Sequence, residues 1–121
     1  MSAAAREFDH YTFVLLRRPD DAPDLAEAEL DRLQEEHLGY LASLRAEGLL
    51  VAGPFREQED ESLRGMCLVS RPIDEVRALL DRDPSVLAGR MRPDVFTWLT
   101  AKGALGFPLT LDRSETTTTR D

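Results

Sequence analysis

Apolar residues recur at steps of three and four along the segment that ends near Glu47, and this spacing predicts a long amphipathic helix. The apolar stripe consists of Leu30, Leu33, Tyr40, Leu41 and Leu44. Gly48 follows the stripe and is well placed to end the helix. At the other end, Asp24 and Glu27 have the spacing of a capping box, so we expect the helix to start near Asp24.

Short runs rich in β-branched and aromatic residues predict four strands. They cover residues 10–16, 49–55, 63–70 and 92–99. A second helix is predicted to begin at Pro72, and the pair Asp83-Pro84 interrupts it. The order strand, helix, strand, strand, helix, strand is that of the α+β, ferredoxin-like βαββαβ fold. That fold has a four-stranded antiparallel sheet with two helices on one face.

The chain of 121 residues divides into a predicted leader, one domain and a tail. We expect residues 1–9 to be flexible, residues 10–103 to form the domain, and residues 104–121 to be a partly disordered tail of low complexity. No element of the chain is left to cover the second face of the sheet, so apolar strand residues would meet water. We therefore predict a homodimer in which two sheet faces pack together.

Charge and composition narrow the range of partners. The formal net charge is -8, so the surface would repel phosphate backbones and anionic lipids, and we expect neither nucleic acid nor membrane as a partner. One cysteine and the absence of an apolar run after the basic start predict a cytoplasmic protein. With two histidines, no CxxC or HxxxH spacing and no glycine-rich nucleotide loop, we expect no metal and no cofactor.

His37 interrupts the apolar stripe of the first predicted helix. Burying an imidazole costs free energy unless it finds a hydrogen-bond partner. A firmly held imidazole can also serve as a general acid or base near neutral pH. His37 is therefore either a core residue satisfied by its neighbours or a catalytic group.

Asp83 is the carboxylate that we expect to orient His37. The break in the second helix would bring it near the middle of the first helix, since both helices pack side by side on the sheet. An Asp that precedes Pro is also a frequent helix N-cap, so a purely structural role for Asp83 stays open.

Four further residues are candidates for substrate binding, and each also has a structural interpretation. The Tyr40 hydroxyl can reach a cleft or remain in the core. Gly53 and Pro54 allow a ligand to approach closely or simply form a turn. Arg17 ends the first predicted strand, where a guanidinium can hold an anionic substrate or remain solvated.

The run EEHLGYLASLRAEGLLVAGPF, followed by a strand, a helix and DRDPSVLAGRM, resembles the YCII-related (YciI-like) family over residues 10–103. The matching positions are His37, Gly48, the AGP turn at 52–54, Asp83-Pro84 and Ala88-Gly89. The resemblance implies a ferredoxin-like, dimeric α/β barrel with a site built on His37 and Asp83. One relative removes chloride from a chlorinated hydroquinone, and the wider superfamily includes muconolactone isomerases and small monooxygenases.

The main hypothesis is a small, cofactor-independent lyase or isomerase that acts on a small organic substrate. His37 would take or give a proton during proton abstraction, elimination or isomerisation, with Asp83 as its orienting partner. An alternative is a non-catalytic, dimeric ligand-binding or accessory domain in which His37 is a satisfied core residue. A third hypothesis is a haem- or quinone-handling monooxygenase, which requires a larger pocket lined by aromatic residues.

Overall fold

Four strands and three α-helices lie within residues 7–106, which are the residues described by the computed structural model. The elements are β1 (Phe8–Arg17), α1 (Glu27–Ser43), β2 (Leu49–Pro54), β3 (Leu63–Val69), α2 (Ile73–Leu80), α3 (Pro84–Leu87) and β4 (Arg92–Ala101). The strand order is β2-β3-β1-β4, and every pair of neighbours is antiparallel. The predicted α+β, ferredoxin-like fold is therefore confirmed.

The helices cover one face of the sheet, and the core lies between them. Along β1, Thr12, Val14 and Leu16 are buried, whereas the residues between them are only partly buried, as the two-residue period of a strand requires. The core cluster contains Val14, Leu16, Leu44, Leu49, Cys67, Val69, Val76, Leu80 and Met91. The predicted second helix is divided into α2 and α3 at Asp83, where the sequence indicated an interruption.

The start of α1 differs from the sequence prediction. The helix begins at Glu27, its N-cap is Ala26, and no side chain caps it, so Asp24 and Glu27 do not form a capping box. Glu27 and Glu29 instead place negative charge in the first turn, where it stabilises the helix dipole. At the far end, a 3₁₀ turn ends at Gly48, whose φ of 104° lies in the left-handed region that glycine adopts readily.

The ends of the predicted domain differ slightly from the observed strands. β1 begins at Phe8, so the last two residues of the predicted leader belong to the strand. β4 continues to Ala101, two residues beyond the predicted strand. Residues 1–6 of the predicted leader and residues 107–121 of the predicted tail lie outside the described residues.

The second face of the sheet carries aromatic side chains. The register of β1 with β4 places Tyr11 opposite Trp98 and Phe13 opposite Phe96. Phe96 and Trp98 are 47% and 40% exposed, and the Tyr11 and Trp98 ring centroids are 6.1 Å apart. The homodimer through this face stays a prediction. Among the helices of residues 7–106, none is long and apolar enough to cross a membrane.

Candidate active site

Helix α1 directs His37 into the protein. His37 is the buried residue of this helix, with 6% of its surface exposed. Tyr40 and Leu41, three and four residues further on, are partly buried and pack against the core. The imidazole therefore lies on the inward face, where the apolar stripe of the sequence continues on both sides of it.

The break between α2 and α3 brings a carboxylate to this imidazole. Pro84 is the first residue of α3, and the preceding Asp83 is its N-cap. The backbone N–H and the hydroxyl of Ser85 each donate to Asp83 Oδ1 at 2.9 Å. The other carboxylate oxygen, Oδ2, lies 2.7 Å from His37 Nδ1. One fully buried carboxylate thus caps a helix and contacts the histidine, so the two interpretations of Asp83 are compatible.

The hydrogen bonds define which ring nitrogen is free to act. A carboxylate oxygen accepts, so the short contact to Asp83 assigns a proton to His37 Nδ1. Ser85 Oγ lies 3.2 Å from the same nitrogen. A serine nucleophile would have to contact the opposite nitrogen, Nε2, so this trio is not the triad of a serine hydrolase. Nε2 is the nitrogen left for a ligand.

A cavity of about 190 Å³ borders His37, and we call it the dyad cavity. Its walls are mostly aliphatic, with Leu16, Leu38, Leu41 and Met91 among the lining residues. Gln34 and Arg64 add two polar side chains. An engineered aliphatic cavity of about 150 Å³ binds benzene, so the dyad cavity has the size for one small ring.

Two of the predicted substrate-binding residues line the dyad cavity. Gly53 and Pro54 do so from the end of β2, together with Gly65 of β3. Pro54 pairs with Gly65 across the two strands, and a methyl group at residue 65 would lie 2.8 Å from the Gly53 carbonyl oxygen. Side-chain carbon atoms do not approach a carbonyl oxygen so closely. Glycine at residue 65 therefore allows β2 and β3 to pair at this distance and form one wall of the dyad cavity.

The other two predicted substrate-binding residues lie elsewhere. The Tyr40 hydroxyl donates to the Leu79 carbonyl oxygen at 2.5 Å and joins α1 to α2, and burial raises the pKa of Tyr40. Arg17 Nε pairs with Asp94, and Arg17 Nη1 lies 3.6 Å from Asp60 Oδ2. Neither Tyr40 nor Arg17 is among the described residues that line the dyad cavity.

Sequence reasoning missed Ser85 and Arg64. Ser85 had a readable signal, because a small hydroxyl residue two positions after an N-cap Asp can bond back to its carboxylate. Arg64 had no local signal, since it reaches the cavity only through the pairing of β3 with β2. The remaining lining residues are ordinary core positions whose neighbours the sequence alone does not specify.

Cys67 and the acidic residues offer no second reactive centre near the dyad. Burial and the nearby Asp83 carboxylate raise the pKa of Cys67 to about 12, so its thiol stays protonated at neutral pH. Within residues 7–106, no three His, Cys, Asp or Glu side chains are grouped so that they would hold a metal ion. The dyad cavity also has no aromatic side chain among its described lining residues, unlike the pocket required by the monooxygenase hypothesis.

A wider groove of about 1070 Å³ lies along β4 and includes residues of α2 and α3 in its walls. Both arginines of its lining lie near carboxylates of the chain: Arg77 lies 3.5 Å from Asp74, and Arg92 lies 3.9 Å from Asp94. Neither His37 nor any other member of the His-Asp-Ser cluster lines it. The dyad cavity is therefore the better candidate site.

The sequence of the YCII-related domain matches residues 12–99 of this chain. The chain belongs to the YCII-related family. No curated protein shows significant similarity to this YCII-related chain.

Two enzymes are among the solved structures that resemble this chain. The 5-chloro-2-hydroxyhydroquinone dehydrochlorinase of Burkholderia phenoliruptrix, in complex with 2,5-dihydroxybenzoquinone, has 22% identity and a TM-score of 0.53. That match covers 73% of this chain and 92% of the dehydrochlorinase. SnoaB, a cofactor-independent oxygenase of Streptomyces nogalater, has 18% identity and a TM-score of 0.45 over 84% of this chain and 99% of its own. The first similarity supports the fold.

Proposed function

We propose that this YCII-related protein is a cofactor-independent enzyme in which His37 transfers a proton on a small organic ring. The 2.7 Å contact between His37 Nδ1 and Asp83 Oδ2, beside a cavity of ring size, is the observation that carries the proposal. It holds the imidazole in one orientation and leaves Nε2 as the base. The reaction class is a lyase or isomerase.

The proposed reaction needs one base and no nucleophile. His37 Nε2 accepts a proton from a ring hydroxyl or from a carbon beside a carbonyl. The electron pair of that bond moves into the ring, and a ring carbon takes up the proton, which isomerises the ring. Where that carbon carries a leaving substituent, a second proton passes from a ring hydroxyl to His37, and the substituent leaves with its own bonding pair as an anion. Asp83 stabilises the imidazolium that forms, and a positioned acid–base group of this kind accelerates a reaction by about 10²–10⁴-fold.

The proposed substrate is a hydroxylated, six-membered ring. The aliphatic walls suit its faces, and Gln34 and Arg64 provide polar groups for its oxygens. The structural relative from Burkholderia acts on a chlorinated hydroxyhydroquinone, and this is consistent with the proposal. We do not include Tyr40 and Arg17 in the proposed substrate contacts, because neither is among the described residues that line the dyad cavity.

The test compares the two histidines of the chain. Wild-type protein, His37→Gln and the control His10→Gln are assayed with halogenated and hydroxylated phenols, beginning with 5-chloro-2-hydroxyhydroquinone. Halide release and ring absorbance are followed over time. We expect His37→Gln to lose about 10²–10⁴-fold in kcat, and His10→Gln, whose side chain is exposed on β1, to keep wild-type activity. Equal turnover by His37→Gln and wild type would contradict the proposal.

Asp83→Asn separates orientation from helix capping. Asparagine still caps α3, but its amide N–H facing His37 would move the imidazole proton from Nδ1 to Nε2. We expect a well-folded variant with greatly reduced kcat. Circular dichroism checks the fold, and imidazole ¹⁵N shifts report the tautomer. A variant that retains both full activity and the wild-type tautomer would show that Asp83 does not orient the base.

The second candidate function is non-catalytic ligand binding. The low exposure of His37, 6%, favours it, because a satisfied core histidine has the same burial. Saturable binding of the phenols without turnover, equal in wild type and His37→Gln, would support this candidate.

We also propose that the exposed aromatic face of the sheet forms a homodimer. Phe96 and Trp98 lie in the middle of β4 and expose apolar surface that a second copy would bury. Light scattering should give twice the chain mass for wild type and the monomer mass for Trp98→Asp. Leu87→Asp, at a 73% exposed position on α3, is the matched control and should stay dimeric. A monomeric wild-type protein would refute the dimer.

A further inference from the structure

Three donors converge on the buried carboxylate of Asp83, and two of them belong to Ser85. The backbone N–H and the hydroxyl of Ser85 donate to Oδ1, each at 2.9 Å. His37 Nδ1–H donates to Oδ2 at 2.7 Å. Both oxygens of the carboxylate therefore have donors, and turning the carboxylate away from His37 would also break its bonds to Ser85. Because Asp83 is 0% exposed, bulk water does not replace a bond that is lost there.

The single proton of the Ser85 hydroxyl determines the direction of these hydrogen bonds. Ser85 Oγ also lies 3.2 Å from His37 Nδ1. If the hydroxyl donated to that nitrogen, the imidazole proton would have to lie on Nε2, the nitrogen left for a ligand. The hydroxyl donates to Asp83 Oδ1 instead, so its oxygen can only accept from Nδ1–H. The arrangement therefore favours the tautomer in which Nε2 is a base.

Ser85 lies outside the cavity in which we place the substrate. It is 4% exposed, and it is not among the described residues that line the dyad cavity. His37 lines that cavity. A change of the Ser85 hydroxyl can therefore act on the substrate only through Asp83 and His37.

We propose that Ser85 is a positioning residue, whose hydroxyl holds Asp83 in the orientation that keeps the imidazole proton on His37 Nδ1. The expected effect on turnover rests on the proposed function, because it requires His37 to be the base. The expected effect on the imidazole needs no substrate. Ser85 thus joins the His-Asp pair as the group that maintains its tautomer.

The test compares Ser85→Ala with Thr12→Val, which also removes one buried hydroxyl. Thr12 is 2% exposed and donates to the Arg71 carbonyl at 2.6 Å, so both variants should lose stability. Both full-length variants are measured well below their unfolding temperatures. NMR follows the His37 Nδ1–H proton, identified as the signal that His37→Gln lacks, and kinetics use 5-chloro-2-hydroxyhydroquinone.

We expect Ser85→Ala to move the Nδ1–H resonance upfield, as a longer hydrogen bond would, and to speed the exchange of this proton with water. We also expect kcat to fall about tenfold, as the loss of one bond in a buried network would give, with KM unchanged. Thr12→Val should keep the wild-type resonance and the wild-type kcat despite its lower stability.

Two conservative variants separate the hydroxyl from the rest of the side chain. Ser85→Thr keeps the hydroxyl, and its added methyl group has room because Ser85 lines a cavity of about 260 Å³. This variant should restore both the resonance and kcat. Ser85→Cys keeps only a weak S–H donor. It replaces Ser85→Ala if that variant does not fold, and it should show the same changes to a smaller extent.

Several results would overturn the proposal. They are a wild-type resonance and kcat in Ser85→Ala, equal changes in Thr12→Val, or a failure of Ser85→Thr to restore what Ser85→Ala loses. A higher KM with an unchanged kcat in Ser85→Ala would indicate contact with the substrate instead of positioning. A wild-type protein that converts none of the phenols would refute the proposed function alone, since the Nδ1–H resonance would still decide the role of Ser85.

Discussion

Two charged clusters at different depths in this protein have similar ion pairs and opposite surroundings. In the first, Asp83 is fully buried and contacts His37 and Ser85. In the second, Arg17 pairs with Asp94 and lies 3.6 Å from Asp60, and all three side chains are reached by solvent. Water can replace a lost partner in the second cluster but not in the first. Burial, rather than the pairing itself, makes a charged residue indispensable.

The largest expected difference comes from removing one carboxylate from each cluster. Asp83→Ala deletes the N-cap of α3 and leaves buried donors without an acceptor, so we expect a loss of about 3–5 kcal/mol in the free energy of unfolding. Asp94→Ala should cost only about 0–1 kcal/mol, because solvent reaches its partly exposed ion pairs. Urea denaturation monitored by the Trp98 fluorescence measures both. Similar losses in the two variants would show that burial does not separate the clusters.

Removing one serine hydroxyl from each cluster should give a smaller difference in stability. Ser85→Ala removes a buried hydroxyl that donates to Asp83, whereas Ser62→Ala removes an exposed hydroxyl that donates to Asp60 at 2.6 Å. We expect a loss of about 1–3 kcal/mol for Ser85→Ala and less than about 0.5 kcal/mol for Ser62→Ala. Thermal unfolding measures the difference. If Ser62→Ala is the more damaging variant, the depth of the hydroxyl does not decide its contribution.

Thiol labelling tests how well the core beneath the dyad excludes solvent. Burial raises the pKa of Cys67 to about 12, so we expect native protein at pH 8 to react with iodoacetamide far more slowly than unfolded protein. In denaturant the thiol returns to its ordinary pKa and should react readily. Labelling of the native protein at the unfolded rate would mean that solvent reaches the core freely.

The smallest effect is expected at Asp60. Hydrogen bonds from Ser62 are the main cause that lowers the pKa of Asp60 below 3.8, and Arg17 adds to it. A lowered folded-state pKa contributes stability above the unfolded value, and that contribution disappears as pH falls through the folded value. Asp60→Asn should therefore change stability only slightly at pH 7, and the difference from wild type should vanish in acid below the folded pKa. A difference that grows as the pH falls would have the wrong sign.

The sequence predicted the sheet and the divided second helix because strand alternation and an Asp-Pro break are local features. The predicted start of α1 was wrong: the helix begins at Glu27, and Arg90 Nη1 donates to the carbonyl oxygen of Pro23 in the segment before it. Contacts between residues far apart in the sequence also form part of the site, and local sequence patterns do not predict them. His37 and Asp83 had local signatures, whereas Arg64 reaches the dyad cavity through the pairing of β3 with β2.

The close approach of β2 to β3 limits which substitutions can change the shape of the dyad cavity. Any side chain larger than hydrogen at residue 65 would meet the Gly53 carbonyl oxygen, so the strand side of the dyad cavity is a fixed template. The helical side is different, because Leu38 is 53% exposed and its side chain has room to change. Natural or laboratory evolution toward larger or smaller rings should therefore accumulate substitutions at Leu38 and Leu41 while the paired strands stay constant.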